Sequence, residues 1–229
     1  MVDYLVTNKK GSILAIDADP NSTLPEALGI ESHDSIAGIC DDVSKHMDSI
    51  PAGMTMERFS EIRIQEAIVE EKGFDLLVMG RPEGPGCYCY VNNLLRDLMA
   101  RVIKNYDFVV IDNAAGMEHI SRRTMRTIDR LLLVSDYSVI GVRSAKKISE
   151  LVKELGIKVG AVSLVINKVA GFLEPLQDEI RSTGVKFIGA IPYDASVEDW
   201  SISNKPIFTF ESITIKDKMR EIFDNMTEK

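Results

Sequence analysis

No stretch of the 229-residue sequence comes near the roughly 20 apolar residues that cross a bilayer as a helix. The N-terminal MVDYLVTNKKGS lacks the charged start, apolar stretch and cleavage site of a secretory signal. Cysteine is scarce. Cys40, Cys87 and Cys89 are odd in number and two are nearly adjacent, which argues against a secreted disulfide framework. Positive charge is in deficit as well: 27 Lys and Arg stand against 35 Asp and Glu, a formal net charge of -8. Such a chain is poorly suited to nucleic acid, whose phosphates call for clustered Lys and Arg. The acidic balance itself serves solubility. These absences point to a cytoplasmic protein with no membrane and no nucleic-acid partner.

What is present is an ordinary globular composition, 45% hydrophobic and 27% charged. The length suits one large α/β domain spanning residues 1–229. Six short runs are almost wholly apolar: Ile13–Ile16, Leu76–Met79, Phe108–Ile111, Leu131–Val134, Val162–Ile166 and Phe187–Ile191. Without polar alternation, such runs predict parallel strands covered on both faces. Helical spacing separates them over Glu57–Glu71, Val91–Asn105, Ser144–Leu155 and Pro175–Ser182. Met1–Asn8 has the pattern of the tail of an amphipathic helix, with Lys9-Lys10-Gly11 as its end. The amphipathic segment Ile215–Met226 has mixed charges, which favours packing on the domain over a membrane surface. Alternating strands and helices give an α/β fold, a doubly wound, mostly parallel sheet flanked by helices.

Chemistry-bearing residues cluster where apolar runs end. The first run closes in Asp17-Ala18-Asp19-Pro20-Asn21, and ligands of open α/β sheets bind beyond the carboxyl ends of strands. Carboxylates placed there order water or a metal, although Asp-Pro also simply begins turns. The third run ends in Asp112, with Gly116 four residues on. That pattern suits a nucleotide hydrolase: the Asp holds a Mg²⁺-bound water, and the Gly lets backbone approach a terminal phosphate. Asn167 follows another strand and has an amide suited to a purine edge, while Pro192 opens a loop able to flank the base. Both positions are equally plausible as turns. His119, just past Gly116, is a ligand candidate or a structural histidine.

The sharpest feature is GRPEGPGCYCY, residues 80–90, which sets Cys87 and Cys89 one residue apart in a Gly/Pro-rich loop. A disulfide within so small a ring is strained. Thiolates bind soft or borderline metals, and zinc sites favour four ligands. Two chains across a two-fold axis supply four thiolates, so the motif predicts a metal clamped within a homodimer. A redox-inert pair of loop cysteines is the alternative. Cys40 has the character of a small apolar filler.

Taken in order, IDADPNSTLPEALGI, GRPEGPGCYCYVNNLLRDL, VVIDNAAGMEHISRRT and NKV resemble the carbon monoxide dehydrogenase nickel-insertion accessory ATPases, within the MinD/ParA/NifH-like branch of P-loop NTPases. The resemblance covers nearly the whole chain. It implies ATP and Mg²⁺ as cofactors, nickel or zinc on Cys87 and Cys89, and a homodimer. Its client would be carbon monoxide dehydrogenase or acetyl-CoA synthase. It implies Asp19 and Asp112 as catalytic residues, with Asp17, Gly116, Asn167 and Pro192 on the cofactor. The family's phosphate-gripping run G-x-x-x-x-G-K-[ST] has no match in these residues. The expectation is an N-terminal truncation of roughly two dozen residues that removes that loop and a strand. Exposed neighbouring strand edges and weak ATP binding by this chain follow from it. A nucleotide-independent metal-binding scaffold is one alternative. Another MinD/ParA-type ATPase is a second, though the basic face or basic helix of a partitioning protein is not evident.

Overall fold

β-Branched and leucine-rich runs become strands wherever a second layer can cover them. The computed structural model describes residues 1–31, 34–45, 50–51, 53–81, 99–114 and 127–227. The described residues fall into two compact units. One is drawn from Met1–His119 with Lys205–Phe208, the other from Ile120–Asn204 with Thr209–Lys229.

In the first unit, β1 (Ile13–Asp17) lies parallel to both β3 (Phe74–Val78) and β4 (Phe108–Asp112). β2 (Val69–Glu71) adds an antiparallel edge, for a strand order β2-β3-β1-β4. Five consecutive buried residues in β1 show why ILAID carries no alternation: both of its faces are covered. Leu14, Ile16 and Leu77 meet Ile36, Ile39 and Val43 of α3 (Ile36–Lys45) and Ile64 of α4 (Met56–Glu66). Helix α1 (Val2–Thr7) buries Val2, Tyr4 and Leu5 and packs on β1. Residues 205–208 join this unit through Phe208, which stacks on Phe74 with ring centroids 5.5 Å apart.

Two sequence expectations change here. The helical pattern over Glu57–Glu71 stops at Glu66, and Val69–Glu71 turns back as β2. Gly73, at φ 99, makes the tight return possible, and Val69 gains Leu76 as its cross-strand partner. Helix propensity in that stretch yields to hairpin pairing. Strand β4, as apolar as β1, is only half-buried. It is the outer strand of its sheet among the described residues, so one flank lacks a neighbour.

The second unit contains β5 (Thr127–Ser135), β6 (Lys158–Val169) and β7 (Lys186–Pro192), all parallel. Helix α5 (Val139–Glu154) crosses from β5 to β6 and α6 (Gln177–Ser182) from β6 to β7. Ser138 caps α5 by accepting the Gly141 N–H at 3.0 Å. Leu133, Val142, Ala145, Leu164, Ile166 and Ile180 form its core. The shorter α7 (Ala195–Ile202) precedes α8 (Ile213–Thr227), which lies against β7 at Gly189. A Cβ on Gly189 would come within 2.7 Å of Ile222 Cγ1, so only glycine lets this helix approach so closely. The final strand and α2 (Leu24–Leu28) complete an α/β fold of mostly parallel sheet flanked by helices. No described helix is long and apolar enough to cross a membrane.

Candidate functional site

Strand β1 ends in an aspartate that is entirely buried: Asp17 has 0% of its surface exposed. An unpaired carboxylate there would be prohibitively desolvated, so each oxygen must find a donor. Oδ1 accepts the Asp19 N–H at 2.9 Å, and Oδ2 accepts the Leu24 N–H at 2.9 Å. The segment 18–24 is thereby folded back on the strand end and delivered into α2, with Pro25 in its first turn.

Asp19 is half-buried and less fully engaged. Its Oδ1 accepts the Asn21 N–H at 2.8 Å, and its Oδ2 has no hydrogen-bond partner among the described residues. The turn closes with the Ser22 N–H donating to the Asp19 carbonyl at 3.0 Å and Ser22 at φ 50.

The neighbouring strand brings a third carboxylate. Asp112 stands in register with Asp17. Hydrogen bonds continue past the strand ends: the Ala18 N–H donates to the Asp112 carbonyl and the Met79 N–H to the Asp17 carbonyl, both at 2.8 Å. Asp112 is exposed and its carboxylate accepts no hydrogen bond among the described residues. Desolvation at the strand end, then the charges of Asp17 and Asp19, hold its carboxyl above the ordinary aspartate value. These three groups therefore share one electrostatic neighbourhood at the carboxyl ends of parallel strands.

Mg²⁺ takes hard oxygen donors, commonly one or two carboxylates, and completes its shell with water and phosphate oxygens. Asp19 Oδ2 and the Asp112 carboxylate fit that donor set. Among the described residues no group of three or more His, Cys, Asp or Glu forms a metal cage. The open carboxylates thus match a cation shared with a phosphate better than one held by protein alone.

From β3 the chain passes into the cysteine loop through Gly80, at φ 69. A Cβ there would meet Ser35 Oγ at 2.6 Å. Glycine is demanded at this exit by both its dihedral and its close neighbour. Cys87, Cys89, Gly116 and His119 lie outside the described residues. So does most of the helix expected over Val91–Asn105.

Asn167 and Pro192 lie in the second unit. The Asn167 Oδ1 accepts the N–H of Lys168 at 2.9 Å, with Lys168 at φ 56. Pro192 pairs in register with Val169, and both line an open groove of about 880 Å³. Phe172, Leu173, Ile213 and Asp217 line it too, whereas Asn167 does not. Asn167 and Pro192 are thus close in the sheet without sharing one lined groove.

The family resemblance implies that Asp17 touches a cofactor. In the fold both of its oxygens are taken by backbone N–H groups. Leu24, the partner that determines this, carries no chemical signal in its side chain. Only the start of a helix seven residues after Asp17 hints at it.

Residues 4–207 match the model of the CobQ/CobB/MinD/ParA nucleotide binding domain. The chain belongs to this family. An uncharacterised ATP-binding protein of Methanocaldococcus jannaschii is 40% identical over 228 residues, 98% of this chain and 90% of its own length. The carbon monoxide dehydrogenase accessory protein CooC of Rhodospirillum rubrum is 26% identical over 86% of this chain and 79% of its own length. Among solved structures, the septum site-determining protein MinD of Pyrococcus horikoshii, complexed with Mg-ADP, matches with a TM-score of 0.65. It is 16% identical and covers 99% of this chain and 88% of its own. At that identity the likeness is one of fold. Ligands of open α/β sheets bind beyond the carboxyl ends of strands; Asp112 ends β4, and Asp19 lies two residues past the end of β1.

Proposed function

We propose that this protein is an ATP-dependent accessory factor that delivers nickel to carbon monoxide dehydrogenase or acetyl-CoA synthase. The observation that carries the reading is the pair of open carboxylates, Asp112 at the end of β4 and Asp19 in the turn just past the end of the adjacent parallel β1, beside the buried Asp17. Hard oxygen donors in that position suit the Mg²⁺ of a nucleotide. The cation, when bound, neutralises phosphate charge; Asp112 and Asp19 orient its water shell. Relatedness to an ATP-binding protein and to CooC supports the same assignment.

Nickel is cargo in this scheme. Cys87 and Cys89 from each of two chains bind it as four thiolates. ATP favours a closed dimer in which the cysteine loop is presented to the client, and hydrolysis favours an open one that releases the metal. The ligand acts through its different affinities for the two states. The family resemblance assigns Gly116 to the terminal phosphate and Asn167 and Pro192 to the base.

A second reading has its own observation. The 229 residues contain no G-x-x-x-x-G-K-[ST] run. Backbone N–H groups and the lysine of such a run grip the phosphates. A nucleotide-independent metal-binding scaffold agrees with that fact.

Nickel titration under reducing conditions separates these readings when molecular mass is followed by light scattering. The Cys87→Ser/Cys89→Ser variant runs alongside. One nickel per dimer, lost in the variant, is the expected result; the effect of Mg-ATP is read on a chain that carries a G-x-x-x-x-G-K-[ST] run, where modulation favours the ATPase and indifference favours the scaffold. Binding that is absent, or unchanged in the variant, overturns nickel delivery.

A further inference from the structure

We infer that Asp17 is a positioning residue: it contacts no ligand and acts through Asp19, by fixing the segment that presents the Asp19 carboxylate beside Asp112. The inference rests on the reading of Asp19 and Asp112 as the cation's carboxylates.

Asp17 is the only one of the three aspartates with no exposed surface, and both of its oxygens are engaged. The two donors it accepts are separated by four residues, so one carboxylate ties both ends of the intervening turn. Hydrogen bonds to an ionised acceptor are about twice as strong as neutral ones, which suits a clamp. The chain of contacts then runs outward. Asp17 Oδ1 holds the Asp19 N–H, and Asp19 Oδ1 in turn holds the Asn21 N–H at 2.8 Å. With Oδ1 committed, Oδ2 is the oxygen without a partner among the described residues. The left-handed Ser22, at φ 50, is a conformation a non-glycine residue rarely adopts unless its surroundings impose it. Here the clamp at Leu24 and the turn bond to the Asp19 carbonyl impose it. The Asp17 carbonyl accepts the Met79 N–H, so the clamp stands on the sheet itself.

Asp17→Asn separates positioning from bulk stability. An asparagine amide is nearly isosteric but has one acceptor oxygen and one donor nitrogen. One of the two backbone N–H groups must then face another N–H. Amide hydrogen exchange on the full chain reads the outcome. Exchange at Asp19, Asn21 and Leu24 rises by about 10-fold or more, well beyond any rise at amides of β1 and β3, with only the modest fall in melting temperature that one lost buried hydrogen bond brings. Asp19→Ala, by comparison, accelerates Asn21 and leaves Leu24 protected. Unchanged exchange at Leu24 and Asn21 in Asp17→Asn overturns the inference. Uniform acceleration across the first unit, with a lowered melting temperature, overturns it too, because Asp17 is then only a structural anchor. Should the variant not fold, the wild type decides: protection at Asp19 and Leu24 comparable with β1 supports the clamp, and free-chain exchange there contradicts it. No metal or nucleotide is present in these measurements, so failure of the nickel-delivery reading leaves their outcome unaffected.

Discussion

Asp17 and Asp112 stand opposite one another at the ends of two adjacent parallel strands, yet one is sealed in the interior and the other faces solvent. The sealed carboxylate accepts two backbone N–H groups, while the open one accepts no hydrogen bond among the described residues.

A first consequence concerns pH. The Asp112 carboxyl is held above the ordinary aspartate value, by desolvation first and by Asp17 and Asp19 next. Between the ordinary and the raised value the folded chain binds more protons here than the unfolded chain. Stability associated with the protonated group is therefore lost as pH rises through the raised value. Near neutral pH the ionised Asp112 is a destabilising element in the metal-free chain. Asp112→Asn raises the melting temperature there, and the gain vanishes below about pH 4, where the aspartate is protonated in both states. Thermal melts of both proteins across that range check it; a variant less stable at neutral pH contradicts it.

Cys40 gives a chemical contrast with the cysteine loop. Burial first, and the neighbouring Asp41 next, push its thiol up to about 11. Thiolate is the reactive form. In the Cys87→Ser/Cys89→Ser background, the folded chain resists alkylation at about pH 8 and reacts stoichiometrically once denatured. Rapid labelling of the folded variant sinks the assignment of Cys40 as an apolar filler.

Glycine 189 sets the approach of α8 to β7. Gly189→Ala forces its Cβ against Ile222, and overpacking of this kind costs about 1–3 kcal/mol. Ile222→Ala in the same chain makes room, so the two substitutions together destabilise by less than their sum. Denaturant unfolding of the double-mutant cycle measures the coupling. Strict additivity shows that the contact carries no strain.

The cap of α5 offers a smaller, local test. Ser138→Ala removes the acceptor for the Gly141 N–H and lowers stability by about 1 kcal/mol, whereas Ser138→Thr retains most of it. Equal losses for both substitutions place the effect elsewhere than in the cap.

Much of the fold is legible in the sequence because six of its strands contain a short apolar run, although only β1 and most of β3 are buried along their length, while β5 and β7, like β4, are partly exposed. Strand β2 is not legible: of Val69, Glu70 and Glu71 only the first is apolar, and its pairing with Leu76 depends on a return through Gly73. The half-burial of β4 is equally hidden, since FVVID looks the same at the edge of a sheet as in its middle. At the site, Asp19 and Asp112 are legible from their places after apolar runs. The position of Asp17 is legible, but its task depends on the backbone N–H of Leu24, whose side chain gives no clue. Asn167 and Pro192 are both found at strand ends, and only the fold shows that they do not line a single groove. Cys87, Cys89 and Gly116 are legible as motifs and lie outside the described residues.

The central claim is that Asp19 and Asp112 together hold a hard divalent cation, and water-proton relaxation with Mn²⁺ tests it most directly. Mn²⁺ shares the oxygen preference of Mg²⁺ and reports its own immobilisation on the protein. With inorganic phosphate supplied to complete the cation's shell, the wild type shows saturable relaxation enhancement over the protein-free mixture, and Asp19→Asn and Asp112→Asn each lose most of it while keeping their folded spectra. Enhancement of equal size and affinity in all three proteins contradicts the account.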